Sequence, residues 1–216
     1  MEDPRHDEAA ARVAELEARL GPDHPDTLSA LLDLAEITYN QGRLIATRRL
    51  EERVVAGRTR RFGAGHGETL KAMRKLAVTL GAQGEFAAAR ELQQRVVAGM
   101  TALWGEDDAE TLRARNNLAG TIAAEGDLIG AETLLQVVVA ASCRTLGDQH
   151  PDTLTAMGNL AAVLWQAGNE EGAYALQYQV VELQRHVLGP GHPATQLSEA
   201  TLAMMERAIE VWCRPV

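Results

Sequence analysis

Apolar and small residues recur at three- and four-residue steps along nearly the whole chain, and the pattern itself returns every 42 residues. Leu28, Leu70, Leu112 and Leu154 share one position of this period. Ala30, Ala72, Ala114 and Ala156 share a second, Leu34, Leu76, Leu118 and Leu160 a third, and Ala35, Ala77, Ala119 and Ala161 a fourth. Their offsets place them on one broad helical stripe, with alanine allowing close approach and leucine filling the gaps. A second helix is marked by Leu50, Leu92, Leu134 and Leu176 and by Val54, Val96, Val138 and Val180. These rows predict the core.

Glycine sets the boundaries. Gly21, Gly63, Gly105, Gly147 and Gly189 follow one set of helices, and Gly42, Gly84, Gly126 and Gly168 follow the other. The spacing predicts first helices near 25–41, 67–83, 109–125 and 151–167, and second helices near 44–61, 86–103, 128–145 and 170–187. An N-terminal helix at 4–20 begins on Asp3-Pro4, an N-cap followed by proline. A C-terminal helix at 193–212 has Glu210 where the turn glycine would fall. A fixed period of this size signals a stacked repeat array. The expected organisation is one all-α domain over 1–216, with repeats at 21–62, 63–104, 105–146 and 147–188 between the two terminal helices.

Between hairpins runs a recognisable string. It reads LGPDHPDTL at Leu20, FGAGHGETL at Phe62, WGEDDAETL at Trp104, LGDQHPDTL at Leu146 and LGPGHPATQ at Leu188. Together with NNLA at Asn116–Ala119 and GNLA at Gly158–Ala161, it resembles the 42-residue class of tetratricopeptide repeat found in kinesin light chains and many bacterial regulators. The resemblance implies a right-handed superhelix (an α-solenoid) of antiparallel helix hairpins, whose first helices line a concave groove that binds peptides. The chain departs from the pattern at Thr47, Asp108 and Glu170, which weakens local packing without changing the fold.

The formal charge of -9 argues against nucleic acid as a partner. No apolar run is expected to approach the ~18 residues of a membrane span, so no membrane partner is expected and the setting is read as cytoplasmic. His24, His66, His150 and His192 share one repeat position, but equivalent atoms of successive repeats stand about 10 Å or more apart, too far for shared zinc ligands. The position reads as a helix start, and no metal is expected. Cys143 and Cys213 have no metal spacing. No nucleophile elbow, phosphate loop or zinc-protease motif occurs, so no cofactor and no catalytic residue is expected. The chain is read as not an enzyme.

Function is expected where the period leaves the first helix variable. Ser29-Asp33-Glu36-Asn40, Lys71-Lys75-Val78-Ala82, Arg113-Asn117-Gly120-Ala124 and Thr155-Asn159-Ala162-Gln166 each form one stripe away from the leucines. Lysine occurs only at Lys71 and Lys75, and both lie on this stripe beside Arg74. A cationic patch on an acidic protein would attract an acidic, extended peptide; the competing reading is a solvated face paired with Glu68 and Glu110. Lys71, Lys75 and Arg113 are expected to supply charge, with Arg74 and Arg115 flanking. Asn117 and Asn159 match the groove asparagine of the resembled repeats and would hold peptide main chain.

The expected function is a protein-interaction scaffold binding a protein or peptide ligand. The alternatives are a sensor or scaffold part of a larger bacterial regulator, or a biosynthetic accessory protein or enzyme with a small molecule in the groove. Leu197, Leu202, Met204, Met205, Ile209, Val211 and Trp212 are too many apolar residues for one buried face. The C-terminal helix is therefore expected to meet a second copy, as a homodimer, or a neighbouring domain.

Overall fold

The computed structural model of the protein describes residues 4–212. Among these, every regular element is an α-helix: α1 (Pro4–Leu20), α2 (Pro25–Asn40), α3 (Leu44–Phe62), α4 (Gly67–Ala82), α5 (Phe86–Trp104), α6 (Ala109–Ala124), α7 (Leu128–Thr145), α8 (Pro151–Gln166), α9 (Glu170–Val187) and α10 (Pro193–Trp212). Each first helix stops one residue short of the sequence expectation. Gln41, Gln83, Glu125 and Ala167 act there as C-caps, and the next glycine takes a positive φ that side-chain-bearing residues avoid. Asp3 and Cys213 lie outside the described residues.

The connector between hairpins is built from its own sequence. Gly21 turns the chain at φ 90°. The His24 ring then accepts the Asp26 N–H at 3.3 Å through Nδ1, satisfying a donor that the helix start leaves open. His66, His150 and His192 do the same for Glu68, Asp152 and Ala194. Asp108 replaces the ring with a carboxylate that accepts the Glu110 N–H at 2.9 Å. The threonine of the motif is fully buried at Thr27, Thr69, Thr111, Thr153 and Thr195. Thr27 and Thr153 donate to the carbonyls of Gly21 and Gly147 at 2.9 and 2.8 Å, tying helix start to helix end.

The chain divides into two compact units, residues 1–103 and 104–216. In the first, Val13 and Leu16 of α1 pack with Leu28, Ala30, Leu31 and Leu34 of α2, Val54 of α3 and Ala72 of α4. Leu76 and Leu80 of α4 close on Ala89 of α5. In the second, Leu112 of α6 meets Val138 and Ala141 of α7 and Ala156 of α8, while Leu154 and Met157 of α8 meet Val180 of α9. The predicted first-helix rows and the valine row are buried throughout. The row Leu50, Leu92, Leu134 and Leu176 is half-buried and covers the edge of the core, because the buried stripe runs through the next residue in each helix, Glu51, Gln93, Leu135 and Gln177, about 100° around.

One other expectation changes. Helix α7, Leu128–Thr145, is long and apolar enough to cross a membrane by length and composition, where no such run was expected. It packs between α6 and α8 and buries Ala131, Leu135, Val138, Ala141 and Ser142 along one face, while Ile129 and Val137 stand exposed on the other. On α10 the apolar residues fall on more than one face, as expected: Leu202 and Met205 are buried while Leu197 and Met204 stand exposed, and the side chains of Val211 and Trp212 lie outside the described residues.

Candidate functional site

The predicted site residues fall on three first helices. In the first unit, α4 carries Lys71, Arg74 and Lys75, all half-buried. Lys71 Nζ stands 3.4 Å from Glu68 Oε1, one turn back. Lys75 Nζ reaches 3.2 Å to Glu36 Oε2 and so bridges α4 to α2. Arg74 lines a cavity of about 340 Å³ with Lys75, Glu36, Tyr39, Asn40, Glu51, Val78 and Thr79.

In the second unit, α6 carries Arg113, Arg115 and Asn117. The Arg113 guanidinium donates to Glu110 at 2.8 Å and to Asp152 of α8 at 2.7 Å. Partial burial works against its charge, but the bond to Asp152 and the charges of Asp152, Glu110 and Asp108 outweigh this and hold its pKa above the ordinary value. Arg115 lies two residues on, roughly 200° around the helix. Its side chain is 16% exposed and pairs with Glu106 at 3.4 Å, over the connector that also carries Asp107 and Asp108. Asn159 of α8 donates through Nδ2 to Asn116 Oδ1 of α6 at 3.1 Å, so one of its two N–H groups already serves the stack.

The stripe cations therefore have acidic neighbours within the protein. Those pairs are half-exposed, and such ion pairs are worth about 1 kcal/mol or less, so a ligand carboxylate can compete for the cation at little cost.

Two features escaped sequence reasoning. Glu51 of α3 is buried, at 5% exposure, where the period elsewhere places Gln93, Leu135 and Gln177. Burial pushes its carboxyl above the usual range, with the Thr79 hydroxyl and the Lys75 charge opposing. Arg58 is buried where the next hairpin has Met100. It donates to the Glu68 carbonyl at 2.8 Å and pairs with the Glu68 carboxylate at 3.2 Å. The signal in both cases was a charge in a column of uncharged residues.

Among the described residues, no group of three or more His, Cys, Asp or Glu is placed to hold a metal ion. The Cys143 thiol is pushed up by burial and by its hydrogen bond to Asp148, away from the reactive thiolate.

A tetratricopeptide-repeat family profile matches residues 26–102 and 110–173, and a second profile of the same description matches 153–194. The chain belongs to the tetratricopeptide-repeat family. Its fold is that of the helical-hairpin solenoid, and its solved neighbours are of kinesin-light-chain type. Two crystal structures of nearly identical TPR-like repeats, from a protein described as a kinesin light chain of Podosopora anserina, are 27% and 28% identical to it, with TM-scores of 0.69 and 0.66. They cover 85% and 84% of this chain, and 86% of each of those chains is covered. BtubC (BKLC) from P. vanneervenii shares the fold at a TM-score of 0.76 and 16% identity, over 95% of this chain and 83% of its own. A search of curated proteins gives no match. Tetratricopeptide repeats are protein-interaction scaffolds, and that is the class of this chain.

Proposed function

We propose that the first-helix faces of this scaffold bind an extended, acidic peptide segment without catalysing a reaction on it. Lys71 and Lys75, flanked by Arg74, would supply charge on the face of the first unit and Arg113 on that of the second, while Arg115, turned to Glu106 over the connector, drops out of the set. Asn117 and Asn159 would hold main chain, since an amide offers both a donor and an acceptor. One observation carries the reading: the only two lysines of a protein of charge -9 share one turn of one first helix, on its variable stripe. Their partners Glu68 and Glu36 are themselves substantially exposed, so these pairs can open to a competing carboxylate. The cytoplasm is the proposed setting.

The test is binding of acidic peptides in low salt by the wild-type protein and by Lys71→Glu/Lys75→Glu. We expect about a tenfold or greater loss in the variant, with binding weakening as salt rises. Unchanged affinity in the charge-reversed protein, with its helical content intact, would sink the reading.

A further inference from the structure

Among the lining residues of the 340 Å³ cavity, Glu36, Tyr39 and Asn40 come from α2, Glu51 from α3, and Arg74, Lys75, Val78 and Thr79 from α4. Four of the eight, Glu36, Asn40, Lys75 and Val78, belong to the variable first-helix stripe, so the cavity opens on the proposed peptide face. Glu51 comes from a second helix and is the deepest ionisable group of the set.

Two buried oxygen atoms there make no hydrogen bond. Glu51 Oε2 and Thr79 Oγ1 are both buried and both unpartnered. The Thr79 hydroxyl stands close enough to favour the charged carboxylate but does not complete a bond with it. Leaving such groups unsatisfied costs free energy, and a ligand that supplies their partners recovers it. The Lys75 ammonium donates to Glu36 and acts on Glu51 through its charge, without a hydrogen bond to Oε2.

The charges of the lining decide what fits. Glu36 and Glu51 balance Arg74 and Lys75, so a cation entering the cavity meets two cations and a carboxylate meets two carboxylates. A neutral group with both donor and acceptor avoids each penalty. A primary carboxamide has that composition, with two N–H donors and a carbonyl on one flat head. Tyr39 and Val78 provide an apolar wall for the methylenes behind it.

We propose that the Glu51 cavity is a side-chain pocket for a carboxamide, a glutamine or asparagine carried by the bound peptide. Its N–H donates to Glu51 Oε2 and its carbonyl accepts from the Thr79 hydroxyl. This rests on the first-helix face being a peptide site, and adds a specificity determinant to it.

The probes are acetylated, amidated acidic pentapeptides, four glutamates around a central guest: glutamine, leucine, glutamate or lysine. Affinities are measured in low salt for the wild type and for Glu51→Leu, which installs the residue of the equivalent Leu135. In the wild type the glutamine guest should bind about tenfold tighter than the leucine guest, and Glu51→Leu should abolish that preference while still binding the series. Thr79→Val should reduce the preference in the same way. Equal affinity for all four guests overturns the pocket but leaves the peptide face standing. A preference that survives Glu51→Leu, or tightest binding of the lysine guest, also overturns it. Absence of binding by every peptide removes the peptide face and the pocket together.

Discussion

The hydroxyls of Thr38 and Thr47 lie 2.9 Å apart in the buried seam between α2 and α3. The later hairpins put Leu80 with Ala89, Ile122 with Ala131, and Leu164 with Ala173 at the same two positions. One hairpin has thus exchanged a large and a small apolar residue for two hydroxyls, which also reach the carbonyls of Ala35 and Arg43. The pair should behave as a unit. We predict that Thr38→Leu alone costs ~1–3 kcal/mol through overpacking against Thr47. Adding Thr47→Ala should bring stability back to within about 1 kcal/mol of wild type. A double-mutant cycle by urea denaturation measures the coupling, and additive single effects would contradict it.

Glu51 should impose a pH signature on stability. Its folded-state pKa is raised, chiefly by burial. The unfavourable term is therefore absent below the unfolded value of about 4.3 and grows as pH rises through the folded pKa. Glu51→Gln, which installs the residue of Gln93 and Gln177, should stabilise the protein by about 1 kcal/mol at pH 7. That gain should vanish near pH 4. Denaturation at the two pH values checks it; a gain of the same size at both would show that ionisation is not the cause.

Two glycines separate backbone from packing. Gly63 sits at φ 90° and ψ 158° with no atom near its missing Cβ. Gly63→Ala should cost ~1–3 kcal/mol from backbone strain alone. Gly120 lies exposed inside α6, likewise in open space. Gly120→Ala should stabilise by ~0.5–1 kcal/mol, the helix-propensity difference. Thermal melts of the two variants should move in opposite directions.

Arg58 is a buried charge in a methionine's place. Burial lowers its pKa from the ordinary arginine value, with Glu68 opposing. Arg58→Met should leave stability within about 1 kcal/mol of wild type, since the desolvation cost of the charge disappears with its bonds. Glu68→Ala strands part of the guanidinium and should cost about 1–3 kcal/mol. Equal losses in the two would mean that the pair, not its burial, dominates.

The fold was legible because the period aligns the chain with itself. Leu28, Ala30, Leu34 and Ala35 recur in every hairpin, and repetition exposes a core that one copy alone would leave ambiguous between helix and strand. Helix ends were off by a residue because a C-cap keeps helical dihedrals while losing the helical bond pattern. The site was less legible. Position on the stripe was readable for Lys71, Lys75 and Arg113, but partners such as Glu36 and Asp152, 39 residues away, come from inter-hairpin geometry. Asn116 fell in a row read only as motif, yet it accepts the bond from Asn159. Glu51 was not singled out, since nothing in one helix alone reveals which of its acids faces inward.

The connector has a consequence for how such a chain changes length. The Gly21 N–H bonds Glu17, the His24 and Thr27 groups bond Gly21, and the Leu28 N–H bonds His24. Every backbone bond of the joint, and the bond from Thr27, lies between Glu17 and Leu28, and the side-chain bonds that Arg60 adds to Asp23 and Arg53 to Glu17 come from α3 of the hairpin that the joint begins. A stretch of coding sequence one period long therefore brings its own coupling when it is copied. Gain or loss of a whole hairpin leaves each remaining joint chemically complete, so recombination can vary the extent of the binding face without first relearning how to fold.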